Sequence, residues 1–279
     1  MSAADNTTPL HAWIDGIGLI CPGLPSWQEG RAVLAGETSY QPAASVLPVP
    51  SILPPAERRR ASRIVKLSLA IGFEAVAHAA ADASQLMTVF SSSSGDGQNC
   101  DALCDALASE DRQISPTRFT NSVHNTAAGF WGIAAGATPA SQVLCAYEGS
   151  FCAGLLEAMT LVVQHQAPVL LLTYEAEYSG ALHLARTLPD AAGIALLLQP
   201  QPTARSLARI AVSLSDEAGD QTSHQPNTAL DIPALESLRT AIPALRGLPL
   251  LAAIARQSPA SVQLDYLSPL QLQLDVQPC

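Results

Sequence analysis

The sequence predicts an α/β layered fold, and three observations carry that prediction. Short apolar runs alternate with longer Ala-rich helical patterns along most of the chain. The 279 residues are 48% hydrophobic and only 14% charged, enough to bury a sizeable core in one globular unit. Polar or Pro-rich stretches fall between the apolar runs. Such alternation implies parallel crossovers, with helices packed on the faces of a sheet.

In chain order, residues 12–19 read as a first strand. The Pro-rich stretch 41–55 reads as a surface loop, with Pro54 and Pro55 at the mouth of a helix over 57–80. A strand over 86–92 is followed by helices over 99–110 and 125–135, a strand over 141–146, a helix over 150–166 and a strand over 168–174. Two more strands, 192–199 and 207–214, follow one another without a long helix and are expected as a hairpin-like pair at one sheet edge. Residues 216–227 are polar. Beyond them 232–245 and 248–256 look helical, and 261–265 and 270–275 alternate with period two like short strands. The expected organisation is a domain over 1–215, a polar linker over 216–229 and a small α+β appendage over 230–279.

Mean hydropathy is +0.21, which leaves few charges to cover the surface and favours an obligate interface. The net charge of −10 argues against nucleic acid as a partner. No apolar run reaches the length of a membrane span, and the N-terminus lacks a basic region followed by an apolar core, so a cytoplasmic protein is expected. Six cysteines in such a chain are expected to be reduced and buried. Cys100 and Cys104 lack a second ligand pair, so neither a metal nor another cofactor is expected.

The most informative stretch is Gln142-Val-Leu-Cys-Ala-Tyr-Glu148-Gly-Ser-Phe-Cys-Ala-Gly-Leu-Leu-Glu-Ala158. An apolar run stops at Glu148-Gly149-Ser150, and Phe151, Leu155, Leu156, Met159 and Val162 then recur at helical spacing, so the turn sits at a helix N-terminus. Orphan amides and the helix dipole stabilise negative charge there, as a thiolate nucleophile requires. Before it stands Phe119-Thr-Asn-Ser-Val-His124-Asn125-Thr126-Ala-Ala-Gly129-Phe130-Trp131-Gly-Ile-Ala-Ala-Gly136.

Together these segments resemble the β-ketoacyl synthases of the thiolase superfamily, which place an Asn-x-x-Ala-Gly helix, a glycine, an apolar strand, Thr-Ala-Cys and a long Ala-rich helix in that order. Asn125, Ala128, Gly129, Gly136, Val143 and Ala158 keep the order and approximate spacing. The resemblance covers about residues 10–215 and implies a thiolase-like layered fold, of which this chain would hold roughly one half plus the short tail. It sets Glu148 where the family has its acyl-accepting cysteine; a register one residue earlier would set Tyr147 there. The two histidines that the family uses to decarboxylate the malonyl unit have no counterpart: of the six histidines only His224 lies beyond residue 183, inside the polar stretch.

The resemblance therefore implies a catalytically silent subunit, similar to the chain-length-factor partners of type II polyketide and aryl polyene ketosynthases. Such a subunit would form a heterodimer with a full-length β-ketoacyl synthase in fatty-acid or polyketide synthesis and meet acyl carrier protein through that complex. Carried over, Asn125 and Thr126, with Gln142, Val143, Leu144, Cys145 and Ala146, would build the interface. Phe119, Phe130 and Trp131 would limit the acyl tunnel. Arg59, Arg63 and Lys66, sharing one face of the expected 57–80 helix, read either as a solvated stripe or as a docking patch for an acidic carrier protein.

Glu148 itself reads either as a structural helix-tip carboxylate or as a plug in an emptied active site. Cys145, in the strand, and Cys152, a turn into the helix, are expected in the core. Ser150 lacks the flanking glycines of a hydrolase elbow, and Ser91–Ser94 with Gly95 read as a turn beside the sheet. Asn125 and His124 are expected as capping or interface groups. Two rival readings remain: a thiolase-fold enzyme with altered acyl-thioester chemistry (hydrolase, decarboxylase or acyltransferase), and a free-standing acyl or carrier-protein binding module.

Overall fold

The computed structural model describes residues 10–215 and 226–279, so most of the expected linker, with His224, lies outside the described residues. Strands β1 (Leu10–Ile20), β2 (Met87–Ser91), β3 (Ser141–Leu144), β4 (Val169–Glu175), β5 (Ala192–Gln199), β6 (Ala208–Ser215), β7 (Ala260–Asp265) and β8 (Gln271–Pro278) form one mixed sheet. Their order is β3, β2, β4, β5, β1, β6, β8, β7. The strands β2, β3 and β4 run parallel, joined by crossovers that carry helices; the remaining neighbours are antiparallel.

The helices are α1 (Trp27–Leu34), α2 (Pro55–Arg60), α3 (Arg63–Ala79), α4 (Gly97–Ala108), α5 (Pro116–Thr120), α6 (Thr126–Ala135), α7 (Ser150–His165), α8 (Gly180–Ala185), α9 (Pro233–Ala241) and α10 (Leu248–Ala255). One face of the sheet packs on α3 and α6 through Leu67, Ile71, Phe130, Trp131, Leu170 and Leu172. The other packs on α1, α7 and α10 through Phe151, Leu155, Met159, Leu171, Leu196 and Leu251. The central strands read as near-continuous aliphatic runs because both faces are covered. The strand β1 admits α3 closely: a Cβ on Gly18 would lie 1.9 Å from the Ile71 carbonyl oxygen, and one on Gly16 would lie 2.1 Å from that of Ala75.

The structure corrects three expectations. The strands β5 and β6 are not a hairpin at an edge; they lie on opposite sides of β1, in the middle of the sheet. The register of β1 against β5 shifts between Ile14 and Gly16, and the carboxylate of buried Asp15 at that irregularity accepts hydrogen bonds from Thr203 and Ser206, both at 2.7 Å. The connection after β5 is thus pinned across β1 and delivers β6 to its other edge. The expected 57–80 helix breaks at Ala61, whose ψ is 114°; the Asn121 side-chain amide takes the Arg60 carbonyl at 3.0 Å in place of a continuing helical N–H. Finally, the tail does not stand apart: β8 pairs with β6 along eight residues, and α10 packs on α1 and β8 in the core shared with α7. The short helices α1, α5 and α8 had no counterpart in the sequence reading.

The two sheet edges differ. The outer edge of β7 is covered, since Thr228 donates its N–H to the Gln263 carbonyl and receives the Gln263 N–H on its hydroxyl, each at 2.9 Å. Among the described strands β3 pairs only with β2 and is the other terminus of the sheet.

Candidate functional site

The parallel strands β2, β3 and β4 end at the same side of the sheet, the side where α/β folds assemble their sites. The chain leaves β3 at Leu144, makes a single 3-10 turn over Tyr147–Gly149 and enters α7. Tyr147 holds a φ of +50°, an uncommon conformation for a bulky residue and a form of stored strain. Ser150 fixes the turn from within: its hydroxyl donates to the Tyr147 carbonyl at 2.8 Å and accepts the Ala146 N–H at 3.1 Å. That serine is fully engaged in local structure.

Glu148 projects from this turn into two guanidinium groups. Arg186, just after α8, donates to Glu148 Oε1 at 2.6 Å, and Arg246, from the turn Pro243–Gly247, donates to Oε2 at 3.1 Å. The arginine side chains are only 18% and 10% exposed while that of Glu148 is 40% exposed, so the carboxylate is the solvent-facing partner of two largely buried cations. Arg186 also donates to the Ser93 hydroxyl at 2.9 Å and the Tyr178 hydroxyl at 3.3 Å, and lies 4.3 Å from the centre of the Tyr147 ring. Arg246 lies 3.7 Å from Asp265 of β7.

Behind Arg186 stands Glu175, the last residue of β4 and fully buried. It accepts the Ser93 N–H at 2.5 Å and the Ser93 hydroxyl at 2.9 Å. Burial pushes its carboxyl up to about 7, against the opposing pull of the Ser93 hydrogen bonds and of Arg186. The expected turn beside the sheet is in place after β2, and its Ser92 and Ser93 are hydrogen-bond donors to a buried carboxylate. The expected tip carboxylate Glu148 is in place. Its partners Arg186 and Arg246, and the buried Glu175 behind Arg186, were missed, although two of the three left a trace: Arg246 is the one charge in the apolar stretch 242–255, and Glu175 ends an apolar strand-like run.

The interface candidates divide. Gln142 is exposed and Val143 and Leu144 are half-buried on the open strand; Ala146 is half-buried beyond it. Cys145 lies past the end of β3, exposed, with its thiol 3.4 Å from the Ser93 carbonyl, so its assignment to the strand and core is corrected. Asn125 takes the N-cap position of α6, yet its side chain makes no cap bond and is exposed. Thr126 turns inward and bonds the Val123 carbonyl at 2.7 Å, so it offers no free surface. His124 Nε2 lies 3.3 Å from the Ser92 carbonyl.

Of the tunnel candidates, Phe119 is 66% exposed. Phe130 is buried but edges a groove of about 330 Å³ lined also by Arg60, Val123, Asn125 and Ile133. Trp131 is corrected: it stacks on Phe73 at 4.7 Å in the core, out of reach of any partner. The basic face is corrected too. Arg59 precedes the break at Ala61 while Arg63 and Lys66 follow it, and Arg63 is paired with Glu177 at 2.7 Å and Asp190 at 3.5 Å. All six cysteines are free, but only Cys21 and Cys152 are buried, where burial pushes the Cys21 thiol up to about 12 and the Cys152 thiol up as well; Cys100, Cys104 and Cys279 join Cys145 at the surface. Among the described residues no group of three metal-ligating side chains forms and no helix is long and apolar enough to cross a membrane.

The description "Beta-ketoacyl synthase, N-terminal domain" matches residues 27–243 of the chain. No curated protein matches it. Among solved structures, a chain of the complex of the ketosynthase ApeO with its chain length factor ApeC from Xenorhabdus doucetiae is similar at 22% identity, with 95% of this chain and 99% of that one covered and a TM-score of 0.70. A chain of the ishigamide ketosynthase/chain length factor is similar at 15% identity, covering 96% and 99%, with a TM-score of 0.68. A chain of the type II polyketide assembly AntDE:AntF, a ketosynthase in complex with its acyl-carrier protein, is similar at 11% identity, covering 98% and 100%, with a TM-score of 0.73. At these identities the likeness establishes the thiolase-like layered fold.

Proposed function

The chain belongs to the beta-ketoacyl synthase family through its N-terminal domain, and from that premise we propose that it is a catalytically silent ketosynthase-like subunit, a chain length factor, which pairs with an active ketosynthase and shapes its acyl tunnel. The observation that carries the reading is the tip of α7. Where the family resemblance expects an acyl-accepting cysteine, Glu148 is held by Arg186 and Arg246, and neither that carboxylate nor Tyr147 can do a thiolate's work. The nearest thiols do not substitute. Cys152 is buried with its thiol held protonated, and Cys145 points to the Ser93 carbonyl with no base among its hydrogen-bond partners.

Pairing rests on the sheet. The chain caps its β7 edge with Thr228, whereas among the described residues no strand pairs with the outer side of β3, and an uncapped edge is a template for a second chain. Val123, Phe119 and Ile133 expose apolar surface on the segment that leads into β3. With Trp131 in the core, Phe119 is the aromatic side chain of that segment available to a partner's tunnel, with Phe130 at the groove beside it. An aryl polyene or other polyketide product, a carrier protein met through the complex and a cytoplasmic setting belong to the same proposal. The similarity of the fold to chains of solved ketosynthase/chain length factor complexes supports it.

The test is to incubate the purified chain with acyl and malonyl carrier-protein thioesters and follow covalent acylation, decarboxylation and hydrolysis by mass spectrometry. No turnover is expected. Multiple turnovers that vanish on Cys145→Ala or Ser150→Ala would overturn the silent-subunit reading in favour of altered acyl-thioester chemistry.

A further inference from the structure

We propose that the pocket walled by Arg186, Arg246 and the N-terminus of α7 is a built carboxylate-binding site whose occupant is the chain's own Glu148 side chain. Three independent features converge on it. Two guanidinium groups from segments 60 residues apart in sequence meet one carboxylate, one on each oxygen, at 2.6 and 3.1 Å. The carboxylate sits in the turn that leads directly into a helix of 16 residues, at the end where amides and dipole favour an anion. And Arg246, nine-tenths buried, keeps its Nε without a partner, a donor capacity larger than the internal occupant uses.

The charge balance points the same way. Arg186 spends its other terminal nitrogen on the neutral hydroxyls of Ser93 and Tyr178, and Asp265 stands 3.7 Å from Arg246, beyond a close hydrogen bond. Among the described residues Glu148 is thus the acceptor that touches both cations. At 40% exposure it is more open than either arginine, so trimming it would open the pocket to solvent with its cationic walls intact. Planar guanidinium groups match the two oxygens of a carboxylate better than a spherical ion such as chloride. In the native chain the tethered carboxylate excludes external small carboxylates, including the free end of a malonyl unit, from the head of α7. The inference rests on the geometry of this tip and stands whether or not the chain pairs with a ketosynthase.

The experiment is chemical rescue of the whole chain. The variant Glu148→Ala should melt several degrees below the native protein in sodium chloride, and replacing chloride by sodium formate or acetate at equal ionic strength should restore at least half of the loss. The native protein and Glu148→Gln, whose pocket stays filled, should melt alike in chloride, formate and acetate. The double variant Glu148→Ala/Arg186→Gln should not recover. Equal melting of Glu148→Ala in formate and chloride, or an equal gain by the native protein, would overturn the proposal. If Glu148→Ala does not fold in chloride, its refolding yield from urea is compared in the two salts: a higher yield in formate supports the site, and equal yields overturn it.

Discussion

Glu175 makes the stability of this protein depend on pH in an unusual direction. Its side chain is fully buried at the end of β4 and its carboxyl is pushed up to about 7 from an ordinary value of 4.5, chiefly by burial. Between those two values the folded protein keeps the proton that the unfolded chain releases, so the folded state binds more protons and stability falls as pH rises. The contribution is fully present below about pH 4.5 and is lost by the time pH passes 7. At roughly 1.4 kcal/mol per pH unit, the difference between the two values corresponds to about 3 kcal/mol, as an order of magnitude. Glu175→Gln removes the titration and preserves the shape, since an amide oxygen can still accept the Ser93 N–H. Urea unfolding of both proteins from pH 4.5 to 8 isolates the effect, because Glu74, which burial also pushes up, and His78, which burial pushes down, titrate in both. The native protein should lose about 2 to 3 kcal/mol relative to Glu175→Gln across that range. Parallel pH profiles for the two proteins would refute the assignment of Glu175 as a buried, late-titrating carboxyl.

Other outcomes follow from packing and position. Gly18→Ala should cost about 3 kcal/mol or more in urea unfolding, because the new methyl group meets the Ile71 carbonyl rather than a movable side chain; an unchanged midpoint would show that α3 can retreat from β1. Trp131→Ala should lower the melting temperature through a core cavity, at about 3 to 5 kcal/mol, and leave the partner's product length unchanged. Phe119→Ala should do the reverse in a reconstituted complex, lengthening products with little loss of stability; an unchanged product profile for Phe119→Ala and for Phe130→Ala would remove the tunnel role from this segment.

Local pattern carried most of the fold, and long-range contacts carried what it missed. The strands β2 and β4 and the helix α7 were legible because aliphatic runs and helical spacing are set within one element. The side of β1 on which β6 lands depends on hydrogen bonds from Thr203 and Ser206 to Asp15, nearly 190 residues away, and no local pattern records them. The break after Arg60 was hidden for the same reason: Arg58, Arg59 and Arg60 are good helix formers, and the amide that stops them belongs to Asn121. At the site, the helix-tip dipole identified Glu148, whereas its two arginines come from segments with no sequence relation to it. The tail looked like an appendage because its strands are short; it is the tail that supplies Arg246 and Asp265.

The central claim is that the open β3 edge pairs with a ketosynthase, and the direct measurement is the mass of the assembly. The chain is co-expressed with a full-length ketosynthase, purified through a tag on one partner and weighed by native mass spectrometry. A 1:1 heterodimer is expected, and Val143→Lys, which sets a charge on the half-buried edge strand, should abolish it, the melting curve of the free variant separating lost pairing from lost folding. A monomer that never associates with the ketosynthase, or a heterodimer indifferent to Val143→Lys, would contradict the account.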